Sequence, residues 1–366
     1  MEMERRHDID WLRVVAIGLL IIYHTAIGFQ PWGVFIRFIQ NGDSMEWLWY
    51  PMSMLNMWRI PILFFVSGMG VHFAMRKRSF TKLILERSKR ILIPFLFGVV
   101  AIVPLHILLW QNYYNQDIHY VLEKGHLWFL LNIFSYVIIL APFFFFIKNK
   151  FNISDNVKKY LKHPWIFVIV SICFIAETYL TKPEIYTFYA ISWHGYFMGL
   201  LAFFFGYFFI EMGQFFWRNL LYWKWFYLAL ASLLFVMRIF VFEMDSPLYL
   251  MVLESVAWIF GIFGIFYQYC QKPSKTLTYL SKAAYPIYII HMLFLYLTSY
   301  LIFPLAIPAI IKYILVIVFT YGGSFAFYEF FLRRVNIIKP FFGIRTNYDL
   351  NFNKKLLYFC RKLTFR

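Results

Sequence analysis

Residues 11–29 read WLRVVAIGLLIIYHTAIGF, a run whose only basic side chains are Arg13 and His24. A helix needs roughly 20 mostly apolar residues to cross the hydrocarbon core of a bilayer. Inside lipid the backbone must satisfy its own N–H and C=O groups, so a run of this kind reads as a spanning helix. No small-residue cleavage pattern follows it, and many similar runs do, so it is expected to be a retained first span and not a signal peptide.

Further apolar runs follow near 54–74, 91–110, 127–147, 164–180, 191–210, 225–242, 249–269, 284–303 and 311–332, the fifth of the ten being short. Their flanks carry the orientation. Lys and Arg alternate: 28 lie at the two ends of the chain and in the even-numbered connections, and three, Arg37, Lys124 and Lys182, in the odd-numbered ones. Basic residues collect on the cytoplasmic side of membrane proteins. An all-α polytopic membrane protein with about ten transmembrane helices and cytoplasmic N- and C-termini is therefore expected. Residues 1–340 would form the membrane domain and 341–366 a basic cytoplasmic tail.

Composition agrees. Hydrophobic residues make up 62% of the 366 and charged residues 14%, where a soluble domain carries about a quarter charged. The net charge of +17 would suit a nucleic-acid binder if it were gathered on one soluble surface. Its alternation points to helix orientation and anionic lipid headgroups instead, with no nucleic-acid partner. Cys173, Cys270 and Cys360 show neither a disulfide framework nor zinc spacing, and no metal site is expected.

Ionisable groups in hydrocarbon are costly and face a protein interior or a cavity, which makes them the best functional markers in such a chain. Arg13 and His24 are eleven residues apart, almost three full turns, so they share a face and span about 16 Å of depth. With Asp10 and Arg13 at the inner boundary, His24 lies in the outer part of the membrane. Arg59, His126, Glu177, His194, Arg238 and Glu254 project to a similar outer depth, and Trp128 beside His126 is a candidate pocket lining. Pairing of Arg59 with Glu254, or of Arg238 with Glu177, would instead make structural ion pairs. His291, two turns into a span beginning near 284, is expected at inner depth and apart from this group. His72 reads as structural. Gly68, Gly70, Gly195, Gly199 and Gly206 would allow close helix approach, and Pro61, Pro94 and Pro286 would kink or open helices. The basic stretch containing Arg76, Arg78, Arg87 and Arg90 is denser than orientation requires and suits a phosphate-rich ligand.

These residues carry a resemblance. Asp10-x-x-Arg13 with His24, Phe65-Val66-Ser67-Gly68, Arg87-Ser88-Lys89-Arg90-Ile91-Leu92-Ile93-Pro94, Gly125-His126-Leu127-Trp128-Phe129-Leu130 and Tyr285-Pro286-Ile287-Tyr288-Ile289-Ile290-His291 together resemble the membrane acyltransferase-3 family. Within it the chain looks closest to the branch that succinylates periplasmic glucans. The resemblance implies a ten-helix enzyme of the prokaryotic cytoplasmic membrane. It would move a small acyl group, acetyl or succinyl, from cytoplasmic acyl-CoA to a hydroxyl of an extracytoplasmic or lipid-linked glycan. His24 would be the general base, Asp10 and Arg13 would organise the inner approach, and Arg59 or His126 would stabilise the oxyanion or hold a carboxylated acyl chain. Trp128, Glu177, His194, Arg238 and Glu254 would line the acceptor site, and Arg76, Arg78, Arg87 and Arg90 would engage donor phosphates. Acyl-CoA is then a co-substrate, with no tightly bound cofactor. No hydrolase-like outer domain is visible, so acceptor recognition falls to the outer loops or to a glycan-synthesis partner protein. A glycan or lipid-intermediate transporter and a non-catalytic membrane subunit are the alternatives from other classes.

Overall fold

The computed structural model describes residues 5–148 and 164–344. Lys150, Lys158, Lys159, Lys162, Cys360 and the tail from residue 345 lie outside the described residues. Among the described residues ten helices carry the fold: α1 (His7–Ile27), α2 (Trp49–Arg76), α3 (Phe80–Tyr113), α4 (Trp128–Ile147), α5 (Trp165–Thr181), α6 (Trp193–Glu211), α7 (Gln214–Phe240), α8 (Leu248–Tyr269), α9 (Lys275–Ile302) and α10 (Ala309–Leu332). Among the described residues nine are long and apolar enough to span a membrane. α5, with 17 residues, is the exception. At 1.5 Å per residue it covers about 25 Å.

Several helices begin earlier than the apolar runs do. α3 starts at Phe80 and not near 91, α7 at Gln214 and not near 225, and α9 at Lys275 and not near 284. Hydropathy marks only the part of a helix that tolerates hydrocarbon, whereas a polar first turn or two at the headgroup level remains helical. In α3 this extension is amphipathic, with Leu83 buried and Lys82, Leu85 and Lys89 exposed. Ser274 starts α9 by accepting from the backbone N–H of Leu277 (3.3 Å), and Ser192 starts α6 by accepting from Gly195 (3.0 Å).

Proline carbonyl partners are replaced in trans. Pro61 lies inside α2 and cannot donate to the carbonyl four residues back, at Met57. The Ser255 hydroxyl of α8 donates to that carbonyl at 2.6 Å. In α3 the Tyr120 hydroxyl donates to the carbonyl of Val100 at 2.6 Å, the group left free by Pro104. Pro94 sits between two π turns, Ser88–Leu92 and Gly98–Ile102, the usual adjustment when a proline interrupts the ladder.

α1 is central and packs against α2, α8, α9 and α10. α2 lies along α6 through glycines: Gly68 faces the carbonyl of Phe203 and Gly206 that of Phe65, so a Cβ at either position would collide with backbone. Gly70 has open space around it and plays no such part. The connection from α1 to α2 folds back as a wall. Met45 N–H donates to the carbonyl of Phe29 (2.8 Å), Asn41 N–H to that of Gly28 (2.8 Å), and buried Lys312 of α10 reaches Asn41 Oδ1 (3.0 Å) and the carbonyl of Phe303 (2.7 Å). Cys173 and Cys270 are free thiols.

Candidate active site

Odd-numbered helices run from the end that bears Arg76 to Arg90, the basic end, toward the opposite, far end. At the far end a cavity of about 1580 Å³ lies among α1, α2, α3, α9 and the loops that join them. His24 stands on its wall. Its Nδ1 is 3.1 Å from Nε2 of His291, with the rings 5.3 Å apart and 11° from parallel. His291 is fully buried, and its Nδ1 donates to the carbonyl of Tyr288 at 2.7 Å.

This corrects the inner depth expected for His291. α9 begins at Lys275, so His291 lies sixteen residues, about 24 Å, along it. His24 lies seventeen residues, about 26 Å, along the parallel α1. The polar turns at the start of α9 concealed that equality.

Two more histidines complete the group. His126 Nε2 donates to the carbonyl of Ile289 (3.1 Å), its own carbonyl accepts from Tyr288 Oη (2.5 Å), and its ring lies 5.2 Å from that of His291. His106 of α3 sits 5.8 Å from the His126 ring and 4.8 Å from Tyr296, and it too lines the cavity. It was not singled out from the sequence, although an ionisable residue inside the 91–110 run was the signal that could have found it.

Arg59 is 1% exposed and lines the same cavity. Its guanidinium carbon sits 4.2 Å over the Tyr23 ring, and Nη2 is 3.5 Å from Asn56 Oδ1. Nε and Nη1 have no hydrogen-bond partner, and among the described residues no carboxylate pairs with Arg59. Trp128, Trp32, Trp49 and Trp110 supply aromatic wall.

The remaining outer polar residues stand elsewhere. Glu177 and His194 are bonded to one another, Nδ1 lying 3.1 Å from both carboxylate oxygens, and His194 Nε2 is 2.9 Å from the carbonyl of Tyr186. Arg238 holds Glu254 through two bonds of 2.8 and 2.9 Å. All four are buried and none lines the cavity. The pairings differ from the two considered from sequence because each joins consecutive antiparallel helices, α5 with α6 and α7 with α8, whose short connections set the partners at one level.

Asp10 and Arg13 lie at the basic end, 3.6 Å apart, with Arg5 also on Asp10 at 2.8 Å. The structure does not bring them to His24; buried Ile17 and Leu20 come between along α1. Arg13 is instead within electrostatic range of Arg87 and Arg90. Glu86 joins Arg78 (3.0 Å) and Arg90 (3.4 Å), and Arg87 donates to the carbonyl of Gly70 (3.3 Å) while its buried Nε has no partner. Two carboxylates, Asp10 and Glu86, thus sit among the guanidinium groups of Arg5, Arg13, Arg78, Arg87 and Arg90. Arg76 lies within electrostatic range of Glu211, the residue that pairs with His72 at 2.6 Å.

A histidine on a cavity wall, beside an arginine with unpaired donors, can take a proton from a hydroxyl and steady a developing oxyanion. The acyltransferase domain family model matches residues 6–329, which takes in every element that builds this site. The chain belongs to the acyltransferase-3 family. It is a membrane acyltransferase. Nothing among curated proteins or solved structures matches it. Among the described residues no group of three or more His, Cys, Asp or Glu is arranged to hold a metal ion.

Proposed function

We propose that this acyltransferase carries a small acyl group, acetyl or succinyl, from cytoplasmic acyl-CoA to a hydroxyl of an extracytoplasmic or lipid-linked glycan. The observation that carries the reading is His24: it lines the far-end cavity, and no hydrogen bond engages its Nε2 among the described residues. The basic end, taken as cytoplasmic from the Lys and Arg alternation, supplies Arg76, Arg78, Arg87 and Arg90, with Arg13 beside them, for the donor phosphates. Anionic lipid headgroups suit the other basic residues of that face. The cell membrane of a prokaryote is the setting this orientation fits.

Arg13 and His24 are about 16 Å apart along α1, a distance an extended phosphopantetheine arm covers. The thioester then meets the acceptor at the cavity floor. As the acceptor hydroxyl attacks the thioester carbonyl carbon, its proton passes to His24 Nε2. The C–S bond then breaks, and the departing thiolate takes that proton back, leaving ester and free CoA. Arg59, with two unpartnered nitrogens, Nε and Nη1, either meets the oxyanion of the tetrahedral intermediate or holds the carboxylate of a succinyl chain. The tryptophan walls offer flat apolar faces to sugar rings. The Gly125-to-Leu130 stretch supports the glucan-succinylating branch.

The test uses purified protein in vesicles with acyl-CoA inside and glycan outside. Wild type should acylate the glycan, and His24→Ala should lose at least 10²-fold in kcat at unchanged expression. Undiminished transfer by His24→Ala would remove the base. Passage of unmodified glycan without donor would favour a transporter. Parallel runs with acetyl-CoA and succinyl-CoA select the acyl group, and a requirement for an added glycan-synthesis protein would reveal a partner.

A further inference from the structure

His291 is fully buried, lies behind His24 as seen from the cavity, and makes two hydrogen bonds that can be read in only one order. The Tyr288 carbonyl can only accept, so His291 Nδ1 carries the proton there (2.7 Å). In a neutral ring the other nitrogen, Nε2, is then an acceptor. It faces His24 Nδ1 at 3.1 Å, so His24 must donate from Nδ1. His24 Nε2 is thereby left with its lone pair, on the cavity side.

The alternative order would need a second proton on His291. That would place a buried cation near Arg59, with no carboxylate hydrogen-bonded to any member of the group among the described residues. Burial of unpaired like charges makes that arrangement the costlier one.

We infer that His291 is a positioning residue that locks His24 in the Nδ1–H tautomer, so that Nε2 is the base presented to the acceptor. Free imidazole in water favours the opposite tautomer, which would present an N–H to the hydroxyl and could not accept its proton. The Tyr288 carbonyl and His291 together therefore do for His24 what a buried carboxylate does for histidine in a serine-hydrolase triad: they fix the ring and its tautomer. They do so with neutral groups alone. When His24 gains the acceptor proton at Nε2, its Nδ1–H stays bonded to His291, so the ring keeps its aim until the thiolate recovers the proton.

This inference rests on His24 acting as the base, and the experiment separates the two. ¹⁵N-histidine-labelled wild-type protein, with His24 assigned by subtraction of the His24→Asn spectrum, should show His24 with Nδ1 protonated and Nε2 bare. His291→Ala should move His24 toward the Nε2–H form and lower kcat by about 10²-fold or more at little change in KM. His291→Gln places an acceptor oxygen near the lost Nε2 and should restore kcat to within about tenfold of wild type. Wild-type His24 protonated at Nε2, or His291→Ala with wild-type tautomer and kcat, would overturn the inference even if His24→Ala is inactive. If His24→Ala is instead active, the base assignment falls while the spectrum still reports the tautomer. The wild-type spectrum also stands should His291→Ala fail to fold.

Discussion

Two buried polar groups lie close together at the far end and differ in one respect. Behind the cavity wall, Arg238 grips Glu254 by two bonds and His194 uses both ring nitrogens, one on Glu177 and one on the Tyr186 carbonyl. On the wall, among the described residues, Arg59 leaves two nitrogens, Nε and Nη1, unpartnered and His24 leaves Nε2 unengaged. Both sets are ionisable residues placed in apolar spans at considerable cost. The first set answers that cost by pairing, which fixes α5 to α6 and α7 to α8. The second leaves part of that cost unmet on the cavity wall. Tyr189 lines the cavity with its ring 5.6 Å from that of His194, so the paired set also braces the wall the unpaired set uses.

The comparison breaks first at Arg238. Arg238→Ala leaves Glu254 buried without a partner and should lower stability by about 3–5 kcal/mol, read as a fall in thermal midpoint. Arg238→Met with Glu254→Leu removes both charges and should recover most of that loss with transfer activity retained. An inactive but stable double variant would mean that the pair has a role in the chemistry.

Arg59 should behave the other way. Arg59→Gln is expected to leave the thermal midpoint near wild type while lowering kcat by about 10²–10³-fold, the effect of losing one oxyanion donor. Equal losses with acetyl-CoA and succinyl-CoA point to the oxyanion, and a loss confined to succinyl-CoA points to the acyl carboxylate. A destabilisation as large as that of Arg238→Ala would place Arg59 among the structural pairs and erase the contrast.

The reach of the sequence follows from the same contrast. Hydropathy and helix periodicity depend on local residues alone, and they were enough for the ten helical segments, the short fifth one, and the shared face of Arg13 and His24. Gly68 and Gly206 were legible as close-contact positions because only small residues allow it. Pairing is not local. Which carboxylate meets Arg238, and that none meets Arg59, depends on helix adjacency, which no single span encodes. His291 was misplaced because its helix starts with Lys275, Ser281 and Lys282, residues that hydropathy assigns to a loop but that a headgroup-level helix accepts.

The smallest effect tests how α2 keeps Arg59 and Asn56 aimed. Pro61 leaves the Met57 carbonyl without its helical donor, two residues before Arg59, and Ser255 supplies the missing bond from α8 at 2.6 Å. Ser255 is fully buried, so water cannot replace it. Ser255→Ala should therefore destabilise by about 1–3 kcal/mol, the cost of an unsatisfied buried acceptor. Pairing Ser255→Ala with Pro61→Ala returns an N–H to the helix and should restore most of that stability. The double variant then separates two roles for the proline. If kcat returns with stability, the Ser255 bond only repairs the helix. If stability returns while kcat stays low, the proline itself, and not only the Ser255 bond, is what sets Arg59 over Tyr23, and the backbone donor missing from α2 is part of how the guanidinium is held.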